Sequence, residues 1–305
     1  MKELFERLCS INNIARRDVV EKDYYLHLLI NEITKHQYLR SNLVFKGGTC
    51  LIKGYIGYVR FSEDLDFSWR IQKNWRDMTA SKIRDQCSIL IDRLLPLFSK
   101  ISNNLDLNFE GDKENSEEVH ISSGGRMVDI YIRYDSEILG MESSIKIQLN
   151  FLEKYFYDFN TVILKPYAPY NDEELRFIFK EQIEKYSFPI TLTAYNPKEI
   201  YIEKCRALLT RKTFKLRDLI DLYFIEKQFQ YSIDEFKDKI IQKTRFALEN
   251  YSRYRKNLEK TPKPDFSSKD ELKLLLIQRP NYFEENLKKI YLSLDELRIK
   301  ILNEL

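Results

Sequence analysis

Two stretches of the chain repeat apolar residues at helical spacing. In DVVEKDYYLHLLINEITK, residues 18–35, Val20, Tyr24 and Leu28 recur four residues apart and would lie on one side of a helix. The second stretch, NWRDMTASKIRDQCSILIDRLLPLFSKI, spans residues 74–101. Its apolar side is formed by Leu90, Leu94 and Leu97. The pattern predicts two long helices, each with an apolar side that packs against a core.

Several shorter segments have the pattern of β-strands. They are LVFK, VRFSEDLDFSW, DLNFEG, EEVHIS, RMVDIYIRY and SSIKIQLNF. Between EEVHIS and RMVDIYIRY, the pair Gly124-Gly125 predicts a turn. Prolines interrupt the pattern after about residue 160, and the spacing from Pro197 onward is mostly helical. The sequence therefore predicts a mixed α/β region over residues 1–160 and a mainly helical region over residues 161–305.

Two serines near the end of the chain begin sequences typical of the first turn of a helix. Ser268-Lys-Asp-Glu271 and Ser293-Leu-Asp-Glu296 both match the capping box, in which a serine and a glutamate three residues later satisfy each other's backbone N–H groups. Both predict the start of a helix.

Alternating polar residues lie in VRFSEDLDFSW. Side chains two apart on a strand share a face. Five polar residues would therefore line one side of this strand: Arg60, Ser62, Asp64, Asp66 and Ser68. Two carboxylates this close repel each other, and burial would raise their pKa values unless a cation lies between them. Mg²⁺ resolves that conflict because it prefers oxygen ligands and can bridge to phosphate oxygens. When a DxD motif occurs alone on a strand, its carboxylates are more often solvated at a sheet edge than bound to a metal.

A pair of glycines supplies the other half of such a site. Gly47 and Gly48 allow the backbone to approach a ligand, and a helix starting near Thr49 would direct free N–H groups at an anion. Lys53 follows Thr49 by four residues, so both could lie on one helical face. An isolated glycine pair is most often just a turn, and neither GxxxxGK[ST] nor GxGxxG is present. The succession of glycine pair, short helix and paired aspartates predicts a magnesium–triphosphate site.

The composition of the 305 residues is that of a globular protein, with 43% hydrophobic and 32% charged residues. A net charge of +3 does not by itself indicate a nucleic-acid binder. The four cysteines and three histidines are scattered without a CxxC pair, which predicts reduced thiols in a cytoplasmic protein and no zinc site. No apolar run approaches the roughly 20 residues that a membrane span needs.

Two blocks of the sequence resemble one known family. KGGTCLIK followed by RFSEDLDF is similar to the KGGTxLxK and RxSxDLDF runs of the AbiEii-type nucleotidyltransferases, toxins of type IV toxin–antitoxin systems related to the MenT-like enzymes. Residues 203–225, EKCRALLTRKTFKLRDLIDLYFI, resemble the EKxxALL…RDLxDLY block of that family. The resemblance implies an α+β fold with a DNA polymerase β-like nucleotidyltransferase core on a mixed sheet over residues 1–160. A mainly helical C-terminal domain, residues 161–305, would contribute the second block.

The resemblance also implies roles for individual residues. Asp64 and Asp66 match metal-binding carboxylates for Mg²⁺ or Mn²⁺, and the glycine turn matches the segment that holds the triphosphate of an NTP. Lys204 matches a lysine that contacts nucleotide phosphate. Ser62 matches a position whose phosphorylation silences some family members. The predicted catalytic residues are Asp64, Asp66, Lys204 and Asp218. The predicted nucleotide-binding residues are Gly47, Gly48, Thr49, Lys53, Arg60, Ser62 and Asp221.

Simpler interpretations exist for several of these residues. Lys204 and Asp218 could each form an ordinary ion pair with a neighbouring charged residue, and Ser62 could hydrogen-bond its neighbours. The chain also departs from the polymerase β-like pattern, in which a neighbouring strand commonly carries a third carboxylate that activates the attacking hydroxyl. In SSIKIQLNF, the positions where that carboxylate would lie hold Gln148 and Asn150, and neither side chain can act as a base. Asp129 could substitute if its strand neighbours the site.

The acceptor of the nucleotide is specified by the resemblance more than by the residues themselves. The resemblance implies the 3′ end of tRNA, where added nucleotides would block aminoacylation, and a separately encoded antitoxin as a partner. Residues 237–264 carry nine Lys or Arg against three acids, with interleaved aromatics that suit phosphate contact and base stacking. The solvated side of a helix explains the same pattern. A nucleotidyltransferase acting on a small molecule or a protein, and a catalytically silent binding protein of the same fold, stay open as alternatives.

Overall fold

The computed structural model describes residues 1–11, 14, 16–72, 75, 78–167, 173–260, 264–276 and 279–304. The chain divides into two units: unit 1 comprises residues 1–153 and 159–194, and unit 2 comprises residues 154–158 and 195–305. Residues 159–194 thus belong with the first part of the chain, although the sequence placed the boundary at residue 160. The reason is that this segment carries two strands of the sheet in unit 1.

The two long helices predicted in the first third of the chain are present in unit 1. The helices of this unit are α1 (Lys2–Ile11), α2 (Arg17–Lys35), α3 (Gln37–Asn42), α4 (Gly47–Leu51), α5 (Ala80–Asn103), α6 (Glu173–Ile178) and α7 (Lys180–Ser187). A π-helical turn, Ile52–Ile56, continues α4. Helix α5 begins later than predicted because Thr79 caps it, accepting a hydrogen bond from the Lys82 N–H at 3.4 Å. Asn74, Arg76 and Asp77 of the predicted helix lie outside the described residues.

Unit 1 contains a seven-stranded mixed sheet. The strands are β1 (Leu43–Lys46), β2 (Asp64–Trp69), β3 (Val119–Ser122), β4 (Met127–Ser136), β5 (Met141–Asn150), β6 (Asn160–Leu164) and β7 (Ile190–Ala194). Their order is β3-β4-β5-β2-β1-β7-β6, with β2 parallel to β5, β1 parallel to β7 and the other pairs antiparallel. The predicted strand DLNFEG is wrong: only an isolated bridge joins Asn108 to Arg133. Gly124 adopts a left-handed φ of +66° in the predicted turn before β4.

The two faces of the sheet differ in character because apolar and polar residues alternate along β2, β4 and β5. The apolar residues between the polar ones are buried: Leu65, Phe67, Ile130, Ile132, Ile145 and Ile147. The polar residues of the same strands lie on the opposite face, and most of them are half-buried. This polar face of the sheet carries the paired aspartates.

Unit 2 is helical, as the sequence from Pro197 predicts. Its helices are α8 (Pro197–Thr210), α9 (Leu216–Phe229), α10 (Ile233–Asn250), α11 (Ser252–Lys260), α12 (Lys269–Leu272) and α13 (Phe283–Asn303). Helix α8 begins with Pro197, and Asn196 caps it by accepting from the Lys198 N–H at 3.0 Å. The helix start predicted at Ser293 is wrong, since buried residues continue at helical spacing through it. They are Leu287, Ile290, Leu294, Leu297 and Ile301.

Candidate functional site

A glycine turn joins β1 to α4. Lys46, the last residue of β1, has extended backbone, and Gly47 turns the chain with a left-handed φ of +77°. A Cβ built on Gly47 would lie 2.1 Å from Oδ2 of Asp66. The backbone of the turn therefore contacts the carboxylate directly, and only glycine combines this conformation with such a close approach.

The second glycine packs against the segment that precedes β2. A Cβ on Gly48 would lie 2.7 Å from Nη2 of Arg60 and 3.0 Å from Oγ of Ser62. The hydroxyl of Thr49 donates to the backbone carbonyl oxygen of Asp64 at 2.5 Å and lies 2.9 Å from Oγ of Ser62. These contacts tie the glycine turn to the segment that leads into the aspartates.

The strand predicted from Val59 begins only at Asp64, so the prediction is wrong for residues 59–63. The backbone turns immediately before this segment, where the N–H of Val59 bonds to the carbonyl oxygen of Gly57 at 2.9 Å. Arg60 is buried and donates to the carbonyl oxygen of Phe61 at 2.6 Å. Although Arg60 and Ser62 do not belong to β2, both reach Gly48.

Asp64 and Asp66 lie on the polar face of β2, on either side of the fully buried Leu65. Strand β1 runs antiparallel beside β2 and places Lys46 opposite Asp66. Because Gly47 follows Lys46 directly, this register brings the turn next to the second aspartate. The structure thus brings together the glycine pair, Thr49, Arg60, Ser62 and both aspartates.

Strand β5 lies on the other side of β2 and contributes its own polar residues. The register places Lys146 opposite Asp64 and Gln148 opposite Asp66. Asp129 does not neighbour the aspartates: it lies on β4, one strand further, where its Oδ1 accepts a hydrogen bond from Nε2 of Gln148 at 2.6 Å. The sequence prediction missed Lys146, although SSIKIQLN alternates polar and apolar residues and so indicates one polar face.

Cys50 is buried in α4 near the site. Burial raises the pKa of its thiol well above the ordinary range, and the charge of Asp66 raises this pKa further. Cys50 is thus a fully buried thiol held in its neutral form.

Lys53 is buried in unit 1, where it pairs with a residue of α2. The π-helical turn changes the spacing after α4, and the ammonium of Lys53 lies 2.8 Å from Oδ1 of Asp23 and 2.6 Å from the Tyr58 hydroxyl oxygen. Tyr186 also donates to Asp23, at 2.6 Å. Burial lowers the pKa of Lys53, while the charge of Asp23 opposes this shift. The side chain thus forms a buried ion pair, and the sequence offered no signal that Asp23 would be its partner.

The residues of the second block form an ionic cluster in unit 2. Nζ of Lys204 on α8 lies 2.8 Å from Asp218 and 2.6 Å from Asp221, both on α9. Arg211 lies 2.8 Å from the other oxygen of Asp218. Burial alone would raise the pKa of Asp218, but the charges of Lys204 and Arg211 outweigh it and hold this pKa below its usual range. The carboxylate is therefore ionised inside the unit.

The basic segment of residues 237–264 is only partly a charged surface. Lys243 is buried and pairs with Glu199 at 2.6 Å, so it belongs to the interior of unit 2. Helix α11 exposes four cations: Arg253, Arg255, Lys256 and Lys260. Tyr254 is half-buried on this helix, with the guanidinium of Arg206 5.7 Å from its ring. Residues 261–263 lie outside the described residues.

The described part of the chain lacks a ready-made metal-binding group and a membrane-spanning helix. Its His, Cys, Asp and Glu side chains form no group of three or more that could hold a metal ion. Within the same residues, no helix is both long enough and apolar enough to cross a membrane.

Comparison with known proteins gives a family match over most of the chain. The family model described as "Nucleotidyl transferase AbiEii toxin, Type IV TA system" matches residues 30–295. The crystal structure of JHP933 from Helicobacter pylori is 15% identical, with a TM-score of 0.46 and 95% of each chain covered. A second H. pylori structure, provisionally assigned as a nucleotidyltransferase, is 18% identical with a TM-score of 0.41, covering 91% of this chain and 93% of that one. No curated protein matches the sequence.

Proposed function

Because the chain belongs to the AbiEii family of nucleotidyltransferase toxins, we propose that it transfers a nucleoside monophosphate from an NTP to the 3′ end of an RNA. Membership confirms the predicted family, the enzyme class and the α+β fold with a helical C-terminal part. It also implies an NTP as substrate and an antitoxin as partner. The proposed acceptor is tRNA, and the proposed metal is Mg²⁺, with Mn²⁺ as a substitute.

The observation that carries this proposal is the contact between Gly47 and Asp66. A triphosphate needs backbone N–H donors without an obstructing side chain, and its metal needs carboxylate oxygens. A Cβ on Gly47 would lie 2.1 Å from Oδ2 of Asp66, so both requirements meet at one point of unit 1. Asp64 lies on the same face, two residues before Asp66.

A divalent metal fits the residues present. Asp64 and Asp66 offer oxygen ligands, and Mg²⁺ is usually held by one or two carboxylates together with substrate phosphates and water. The lack of a larger protein cluster among the described residues agrees with a metal that arrives with its nucleotide. When bound, the metal neutralises charge that develops on the phosphates during transfer.

The residues of the chain act mainly by binding and orienting. In the proposed reaction the acceptor hydroxyl oxygen forms a bond to the α-phosphorus, and the bond from that phosphorus to the bridging oxygen of the β-phosphate breaks. The bridging electron pair leaves with pyrophosphate, and the hydroxyl proton is released. The glycine turn holds the phosphates in line for this attack, and Arg60 adds a positive charge beside Gly48.

An RNA acceptor is favoured by the cations of α11. Arg253, Arg255, Lys256 and Lys260 are exposed, and Tyr254 is half-buried among them. Cations that neutralise phosphates supply most of the sequence-independent affinity for nucleic acid, and aromatic rings add stacking. We propose that this helix contacts the acceptor.

The second block supplies the other proposed catalytic residues. Lys204 is proposed to contact a nucleotide phosphate, and Asp218 and Asp221 to hold its ammonium in place, since they lie 2.8 Å and 2.6 Å from it. A lysine suits this role as a compact point charge.

The test is incubation of the purified protein with each labelled NTP, Mg²⁺ and total cellular RNA, followed by a sizing gel. Labelled tRNA is the expected product. Asp64→Ala should lower turnover by at least roughly 10²-fold, the scale for loss of a major electrostatic stabiliser. Glu63→Ala is a matched control, because this neighbouring acid instead lies 3.9 Å from Lys22. Near-normal turnover of Asp64→Ala, or label that enters no RNA, would refute the proposal.

A further inference from the structure

Gln148 stands between two acidic residues on the polar face of the sheet. It is the register partner of Asp66 on β2 and of Asp129 on β4. The three side chains therefore form a row across three strands, at intervals of about 4.8 Å. A neutral amide thus lies beside the paired aspartates, where a third carboxylate is expected from the superfamily pattern.

A hydrogen bond fixes the orientation of this amide. Nε2 of Gln148 donates to Oδ1 of Asp129 at 2.6 Å. A carboxylate accepts hydrogen bonds, and only the nitrogen of an amide can donate one, so the nitrogen must face Asp129. The amide oxygen is consequently turned away from β4. Strand β2, with Asp66, lies on that other side of β5.

The geometry points to Gln148 as the residue that orients the attacking hydroxyl, with Asp129 as a positioning residue that fixes the amide. Oε1 of Gln148 accepts the hydrogen bond of the acceptor hydroxyl next to Asp66, and so directs the oxygen lone pair at the α-phosphorus. An amide oxygen holds this proton but does not remove it, and water takes the proton as the new O–P bond forms. This inference rests on the proposed function and adds the residue that presents the acceptor.

Four variants separate this role from a structural one. Gln148→Leu removes the amide oxygen at similar size, and Asp129→Leu removes the partner that holds the amide. Gln148→Glu places two carboxylates side by side, because position 148 lies opposite Asp129. Adding Asp129→Asn to Gln148→Glu restores the hydrogen bond with its direction reversed, and leaves an oxygen facing β2. Asp135→Asn is the matched control, an exposed acid on the same face of β4, opposite Glu142.

The experiment measures nucleotide transfer to total tRNA together with calorimetric binding of a non-hydrolysable NTP and Mg²⁺. Gln148→Leu should lower kcat by roughly 10²-fold, and Asp129→Leu by roughly tenfold, the scale for loss of a group that orients a reacting one. Nucleotide affinity should stay within about twofold in both, since the hydroxyl and not the nucleotide is affected. The double variant should recover most of the activity that Gln148→Glu loses, and Asp135→Asn should match the unmodified protein.

Two results would overturn the inference while leaving the proposed function intact. The first is an unchanged kcat in Gln148→Leu and Asp129→Leu under conditions where Asp64→Ala is inactive. The second is a parallel loss of nucleotide affinity, which would assign Gln148 to the metal–nucleotide rather than to the hydroxyl. If Gln148→Leu does not fold, the double variant decides the case, and its failure to exceed Gln148→Glu counts against the inference. An unmodified protein that transfers no nucleotide would instead refute the proposed function, and with it this inference.

Discussion

The contact between Gly47 and Asp66 can be tested with a pair of glycine-to-alanine substitutions. Gly47→Ala adds a methyl group at a residue with φ of +77°, directly against Oδ2 of Asp66. Gly57→Ala adds the same methyl group at a residue that also has φ of +77°, but no atom lies within 4 Å of its Cβ. Both variants place a side chain at a φ of +77°, and only Gly47→Ala also brings it against the carboxylate.

The size of the expected effect follows from the distance. A Cβ on Gly47 would lie 2.1 Å from Oδ2 of Asp66, while ordinary contacts begin at 3.4 Å, so the carboxylate must retreat by 1.3 Å (3.4 − 2.1). A displacement on the order of 1 Å in a positioned group can lower turnover roughly 10²-fold. A side chain at this positive φ should cost each variant about 1–3 kcal/mol of unfolding free energy.

Two measurements on both variants separate these effects. Urea unfolding gives the change in unfolding free energy, and transfer of labelled NTP to total tRNA gives kcat. We expect both variants to lose stability, Gly47→Ala more than Gly57→Ala because its methyl group also displaces the carboxylate. A loss of kcat of about 10²-fold should be confined to Gly47→Ala.

A Gly47→Ala protein with the kcat of Gly57→Ala would contradict the proposed role of the contact. Such a result would mean that Asp66 does not need its observed position for turnover. Equal and large losses of kcat in both variants would attribute the effect to backbone strain, and would equally contradict the role of the contact.

Three further predictions concern buried charges. Burial, aided by the charge of Lys53, lowers the pKa of His27 from 6.5 to about 3. Between these two pH values the unfolded chain binds a proton on His27 that the folded protein does not. Stability should therefore fall by about 2 kcal/mol between pH 7 and pH 5, and His27→Gln should remove this dependence in urea unfolding at the two pH values. Lys53→Met should lower the unfolding free energy by roughly 3–5 kcal/mol, because it leaves Asp23 buried without its cation, and an unchanged unfolding midpoint would contradict the ion pair. Lys204→Arg keeps a positive charge near Asp218 but replaces the compact ammonium with a planar guanidinium. It should raise the KM for NTP several-fold and change the unfolding free energy little. An unchanged KM would count against the proposed phosphate contact.

The alternation of polar and apolar residues was sufficient to predict the part of the site that lies on β2. DLDFSW placed Asp64 and Asp66 on one face because a strand has a period of two residues, and the buried Leu65 and Phe67 confirm that period. The glycine turn was predicted from composition and order alone, and the structure brings it into contact with Asp66. Local patterns thus predict which face of a strand a residue occupies and where the chain turns.

Patterns of this kind do not predict partners that are distant in sequence or departures from regular spacing. The spacing predicts Thr49 and Lys53 on one face of an α-helix, but Lys53 lies within a π-helical turn and pairs with Asp23, 30 residues earlier. Prolines interrupt the hydrophobic pattern of residues 159–194, so the pattern predicts no strands there. Their strands β6 and β7 are nevertheless part of the sheet, held there by pairing with each other and with β1.

The register of β1 against β2 has a consequence for how a nucleotide would be captured. Lys46 and Asp66 are opposite each other on one antiparallel ladder, so the turn proposed to bind phosphate and the carboxylate proposed to bind the metal are held together before a ligand binds. Little backbone has to be ordered when a ligand arrives, and the entropy lost on binding is correspondingly small. Less of the binding free energy is therefore expected to be spent on ordering the protein, which favours tight binding of the phosphates.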